Sequence, residues 1–115
     1  MTTALKRVYD PPENSDGVRL LVDRLWPRGL TKEKARIDLW LKEIAPSSEL
    51  RRWFAHDPKK WPEFQARYKD ELKSNSGPLA QLKTEAAHGP VTLLFAARDV
   101  DHNEAVVLEK ILRSK

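Results

Sequence analysis

Between Pro90 and Arg98 runs Val91-Thr-Leu-Leu-Phe-Ala-Ala97, apolar at every position but Thr92. A strand that is apolar at consecutive positions has no solvent face, so it must be covered on both sides, as the central strands of parallel sheets are. Parallel neighbours need long crossover connections, and helices are the usual way to make them. This one segment therefore commits the chain to an α/β architecture.

The remaining segments supply the partners. Leu5 to Tyr9 reads as a first strand, stopped by Asp10-Pro11-Pro12 and a loop through Gly17. Val18 to Asp23 reads as a second, with Val18, Leu20 and Val22 on one face and Leu21 on the other. Trp26-Pro27-Arg28-Gly29 ends it, because proline cannot donate to a ladder. Thr31 suits the cap of a short helical turn over Lys32 to Ala35. Ile37, Leu39 and Leu41 alternate with polar or exposed positions and predict an extended edge segment. Pro46-Ser47-Ser48-Glu49 starts a helix to about Ala55, with hydroxyls as caps and Glu49 at the positive end of the dipole. Asp57-Pro58 starts the next, in which Trp61, Phe64, Tyr68 and Leu72 form one apolar stripe. A further helix begins at Ser76-Gly77-Pro78 and stops at His88-Gly89-Pro90, and the last runs from about His102 to Arg113. Asp101 and Glu104 stand at capping-box spacing at its start. The sum is a small α/β sandwich with a mostly parallel sheet flanked by helices.

At 115 residues with 40% apolar side chains, the chain matches one domain over 1–115 and can offset the entropy of ordering. It contains no Cys, which excludes disulfides, thiol catalysis and Cys-ligated metal. The three histidines, at 56, 88 and 102, show no metal-ligand spacing, and no cofactor motif is present, so neither a metal nor a cofactor is expected. The N-terminal residues lack the apolar stretch of a secretory signal, and no apolar run approaches the roughly 20 residues of a membrane span. A cytoplasmic protein without membrane association is the expectation. Net charge is +4, shared evenly between the two halves and interleaved with acids, as in KEKARID and RYKDELK. That is the pattern of a solvated surface rather than of a phosphate-tracking basic face, so nucleic acid is the less favoured partner.

In open α/β sheets, ligands bind beyond the carboxyl ends of the strands, often against a helix N-terminus. The second strand runs into Asp23-Arg24-Leu25-Trp26-Pro27-Arg28, and the central strand runs into Arg98-Asp99 and then His102-Asn103. If the strands are parallel neighbours, Arg24, Arg28 and Arg98 converge with a helix dipole, which is what an anion site needs. Asp23, Asp99, His102 and Asn103 would orient the anion, with His102 and Asp99 as the candidate acid and base. Trp26 would border the site, more readily as a core or rim residue than as a stacking platform. Structural uses compete: Asp23-Arg24 as an ion pair, His102 as a surface side chain, Ser47 and Ser48 as caps rather than nucleophiles. The stripe through Tyr68 belongs to the core, although the Tyr68 hydroxyl is long enough to reach a pocket rim.

The segments DRLWPRG, APSSELRRWF and LLFAARDVDHN resemble those of the YeaO-like family, the short branch of the domain-of-unknown-function 488 group. The likeness runs from about Leu5 to Leu112. It implies a cytoplasmic α/β domain and no particular activity. Longer members of the wider group resemble this chain around an Asp-Val-Arg strand end, where Asp23-Arg24 stands here. They often carry Cys in the late strand and Cys-His-Arg at the start of its helix, where this chain has Phe95 and His102-Asn103-Glu104. Thiol chemistry therefore does not carry over, whereas an anion-binding role of the same sheet edge does.

Two function classes follow. The first is a site for a small anion, such as a nucleotide or phosphorylated metabolite, at the carboxyl edge of the sheet, with hydrolase or transferase chemistry as its bolder form. The second is a non-catalytic module that binds nucleic acid or protein, for which exposed Trp26, Trp40 or Trp53 on a basic face would speak. Trp40 on an edge segment also suggests a homodimer through that edge.

Overall fold

The computed structural model describes residues 3–114. Four strands, β1 (Thr3–Arg7), β2 (Val18–Leu21), β3 (Leu39–Trp40) and β4 (Val91–Phe95), form one sheet in the order β1-β4-β2-β3. Every neighbouring pair is parallel. β4 is thus central, and all five of its residues are buried. Its alternation sorts the two faces. Leu93 and Phe95, with Leu20 and Val22 of the β2 segment, face the larger core. Leu94 and Leu21 join Val8, Ala35 and Ile37 in a smaller cluster on the other face.

The helices follow from the stripes and caps in the sequence. α1 (Lys32–Ala35) is capped by the Thr31 hydroxyl, which accepts the Lys34 N–H, and it roofs the smaller cluster. α2 (Ser48–Phe54) is capped by Ser47, whose hydroxyl accepts the Leu50 N–H and donates to Glu71 at 2.6 Å. α3 (Trp61–Ser74) buries Phe64, Tyr68 and Leu72, and α4 (Ser76–Ala87) buries Leu82 and Ala86. α5 (Glu104–Arg113) buries Ala105, Val107, Leu108 and Leu112. Each fully buried Leu contributes about 1.5–3 kcal/mol, so the larger face dominates the stability of the domain.

Four expectations need correction. The first strand begins at Thr3, because its pairing starts opposite Val91, the first residue after Pro90; Val8 continues the ladder, donating to the Phe95 carbonyl at 2.7 Å, and Tyr9 turns out to solvent. The edge strand is reduced to Leu39 and Trp40, since Asp38 N–H and Leu41 N–H bond to β2 carbonyls only at either end of that pair. Asp57 and Pro58 open a single 3-10 turn, Pro58–Lys60, and the α-helix proper starts at Trp61. The cap of α5 is Asn103, whose side-chain oxygen accepts the Val106 N–H at 3.2 Å, so Asp101 plays no capping-box role.

One buried cation went unpredicted. Arg19 of β2 lies on the smaller face at 2% exposure, paired with Asp16 at 2.6 Å and donating to the Ala35 carbonyl at 3.0 Å. Asp16 is also within 2.9 Å of Lys6 Nζ, and its backbone carbonyl accepts the Thr92 hydroxyl at 2.8 Å. This polar cluster replaces apolar packing at the amino end of the sheet.

Candidate functional site

The carboxyl ends of β1, β4 and β2 open on the same edge, because the strands are parallel. A cleft of about 380 Å³ lies there, within the range of roughly 300–1,000 Å³ usual for small-molecule sites. The segment after β2 forms one wall, the start of α5 another, and α2 closes the third side.

The positive charge comes from three arginines. Arg24 and Arg28 follow β2, and Arg51 reaches in from α2. Arg24 donates to the Ala45 carbonyl at 3.1 Å and, among the described residues, has only Glu43, at 4.0 Å, as an acidic partner. Arg51 bonds to the Ser48 hydroxyl at 3.3 Å. The Nε–H groups of Arg24 and Arg51 are buried and, among the described residues, have no hydrogen-bond partner. Among the described residues neither Arg28 nor Arg51 forms an ion pair.

Arg98 departs from the expected convergence: it is exposed and lies off the cleft walls. The physical reason is at the strand end. The guanidinium of Arg7 holds the carbonyls of Ala96 and Ala97, at 3.0 and 3.1 Å, and the next side chain points to solvent. Arg51 stands in the cleft instead. The sequence alone does not separate an Arg51 that faces the sheet edge from a solvated one, since one turn of α2 carries both options.

Two carboxyl groups meet on the floor. Asp23 accepts the Ala96 N–H at 2.8 Å and hydrogen-bonds the side chain of Glu104. The Glu104 side chain touches solvent over part of its surface yet is surrounded by protein deep in the cleft. Burial first, then the bond to Asp23 and its charge, push Glu104 well above the ordinary carboxyl range, against the opposing charge of Arg51. Three arginines thus face two carboxyl groups in the cleft, an excess of one guanidinium.

His102 lines the cleft while Asp99 stands behind it. The His102 Nδ1 lies 2.9 Å from the Asp99 carboxylate, and its ring stands edge-on to Trp61 with centroids 5.2 Å apart. His102, then the backbone N–H of Asp101, hold the Asp99 carboxyl below its ordinary range. With Nδ1 engaged, Nε2 is the nitrogen left free for a ligand. Asn103 is 3% exposed, and its amide is engaged as the α5 cap and in a 3.0 Å bond to the Asp99 carbonyl. Its contribution is to aim the helix start rather than to offer a free side chain.

Trp26 is neither core nor free. It is 36% exposed on the cleft wall, donates from Nε1 to the Leu30 carbonyl at 2.7 Å, and packs edge-on against Trp40, centroids 5.3 Å apart. Trp40 is in turn fixed by its own Nε1, which donates to the Asp23 carbonyl at 2.7 Å. The Tyr68 hydroxyl does not reach this cleft; it donates to the Ile44 carbonyl at 2.6 Å, and burial raises its pKa well above the ordinary value.

His56, like Glu104, is a residue the sequence did not bring to the site. Ala55 and His56 follow α2 with φ of 47° and 57°, two successive left-handed residues that are not glycine. The turn they make carries His56 back to the cleft. A dipeptide Ala-His announces no such turn, because these conformations are imposed by packing. Among the described residues, no three His, Cys, Asp or Glu side chains come together as a metal site, and no helix is long and apolar enough to cross a membrane.

Residues 2–115 match the family model described as the inactive DUF488-N3 subclade. The chain is 45% identical over 114 residues to the uncharacterized protein YeaO of Escherichia coli (strain K12), covering 99% of each. It is 41% identical over 109 residues to the uncharacterized protein Rv3073c of Mycobacterium tuberculosis (strain H37Rv), covering 95% of this chain and 92% of the relative. No solved structure matches it. The chain belongs to the inactive DUF488-N3 subclade and is a YeaO-like member of the domain-of-unknown-function 488 group.

Proposed function

We propose that this member of the inactive DUF488-N3 subclade binds a small anionic ligand at the carboxyl edge of its sheet. The observation that carries the reading is the cationic balance of the cleft, where the guanidinium groups of Arg24, Arg28 and Arg51 outnumber the carboxyl groups of Asp23 and Glu104. Gathered guanidinium groups that outnumber their carboxyl partners are costly unless an anion completes them. Binding without turnover is the form favoured by the subclade's description as inactive.

The test is titration of inorganic phosphate into the purified protein, read by calorimetry and by thermal shift. Arg24→Gln/Arg51→Gln should lose the binding heat and the stabilisation, while Arg98→Gln should keep both. Equal phosphate affinity in a folded Arg24→Gln/Arg51→Gln protein rejects the reading. A thermal shift produced only by oligonucleotides, fading as salt rises, would instead favour the nucleic-acid module.

A second reading draws on one geometric feature. The carboxylate-oriented imidazole of His102 and Asp99 is the arrangement of a general base. It would support water activation against a bound anion, and turnover lost in His102→Gln with phosphate affinity intact would be its signature.

A further inference from the structure

Beyond its charge, the cleft has a second and a third kind of wall. The indole of Trp26 is fixed at both ends of a short chain of contacts: its N–H is bonded to the Leu30 carbonyl, and its ring packs edge-on against Trp40, which is itself bonded to Asp23. A large aromatic side chain that is 36% exposed and yet cannot swing away is a preorganised surface for a flat ring. Pro27, Phe54 and Phe64 extend the apolar lining around it. On the floor, Asp23 and Glu104 offer acceptor oxygens. Asp23 accepts the Ala96 N–H, and two carboxyl groups on the cleft wall have more lone pairs than that donor fills. Carboxyl groups so placed suit hydroxyl groups of a ligand, as the acidic residue of a dinucleotide fold suits ribose.

Resting on the anion reading above, we propose that the ligand of this cleft is a ribonucleoside monophosphate, with the phosphate at Arg24 and Arg51, the ribose hydroxyls at the Asp23–Glu104 carboxyls and the base against Trp26. Each part answers one wall. An inorganic anion would leave the aromatic wall and the carboxyl floor without a partner, and a sugar phosphate would leave the aromatic wall bare. The cleft volume of about 380 Å³ suits one nucleotide and not an oligonucleotide strand.

The experiment compares dissociation constants for inorganic phosphate, ribose 5-phosphate and the four common ribonucleoside monophosphates. In the natural sequence, ribose 5-phosphate should bind more tightly than phosphate, and at least one monophosphate about tenfold more tightly than ribose 5-phosphate, as stacking of one base would give. Trp26→Leu should erase the second step and leave the first, and Trp26→Phe should retain most of it. Glu104→Ala should shrink the first step in folded protein. If phosphate binds but no monophosphate binds more tightly than ribose 5-phosphate, this assignment falls and the anion site stands. The assignment also falls if folded Trp26→Leu protein keeps the full preference. If neither phosphate nor any monophosphate binds, both fall together.

Discussion

Asp23 accepts the backbone N–H of Ala96 at 2.8 Å, so a single carboxylate at the end of β2 fastens the end of the neighbouring β4. The Asp23 carbonyl also accepts the Trp40 indole N–H, which draws the edge strand β3 to the same point. One residue thereby ties three strands together and lines the cleft as well. Asp23→Ala leaves a partly buried N–H without its partner and should cost about 1–3 kcal/mol in urea unfolding. Asp23→Asn keeps an acceptor oxygen and should recover more than half of that loss. Equal losses in the two variants would show that charge, not the Ala96 bond, is what matters there.

Gly17 closes the loop ahead of β2 with φ of +65°, and a Cβ built there would lie 2.1 Å from the Pro90 carbonyl oxygen. The neighbouring Val18 N–H bonds that same carbonyl at 3.1 Å, so the loop cannot lift away without breaking the start of the sheet. Gly17→Ala should lower stability by about 3 kcal/mol or more, combining the left-handed backbone with the clash. Gly29 also has positive φ, +81°, but open space around it. Gly29→Ala should therefore cost only about 1 kcal/mol. Thermal unfolding of the two variants side by side checks the difference.

Ala55 and His56 leave α2 in left-handed conformations that glycine adopts without a Cβ penalty. Ala55→Gly should raise stability by about 1 kcal/mol, the cost of a Cβ in that region less the added freedom of the unfolded chain. The same change loosens the turn that carries His56, so any contribution of His56 to phosphate binding should weaken while the protein becomes more stable. A fall in melting temperature would mean that Ala55 makes packing contacts worth more than the strain.

Asp16 sets an acid limit. Its burial alone would raise the carboxyl, but hydrogen bonds from Lys6, the Glu13 backbone N–H and Arg19 overcome that and hold it at about 2, below its ordinary 3.8. A carboxyl depressed in the folded state contributes stability above its unfolded pKa and loses that contribution as pH falls through the folded value. About 2 kcal/mol should thus be present above pH 4 and disappear between pH 4 and 2. Asp16→Asn should be less stable at neutral pH and show a flatter stability profile across that window. Urea midpoints measured from pH 7 down to pH 2 would reveal it.

Much of the fold is legible in short stretches. The apolar run from Val91 to Phe95 is the buried central strand, the Trp61–Phe64–Tyr68–Leu72 stripe is a buried helix face, and Thr31 and Ser47 cap the helices they precede. These are properties of residues within a few positions of one another, where periodicity and capping chemistry act directly. The location of the cleft is legible for a related reason, since parallel strands deliver their carboxyl ends to one edge. What the local pattern leaves open is which side chains meet there. Arg51 rather than Arg98 enters the cleft, Glu104 joins Asp23, Arg19 is buried against Asp16, and His56 is swung back by a left-handed turn. Each of these pairings depends on the order β1-β4-β2-β3 and on how α2 and α5 settle over it. Rotating a side chain or ending a helix one residue sooner changes local energy by little, so the choice falls to contacts between segments far apart in the chain, which exist only once the sheet has closed.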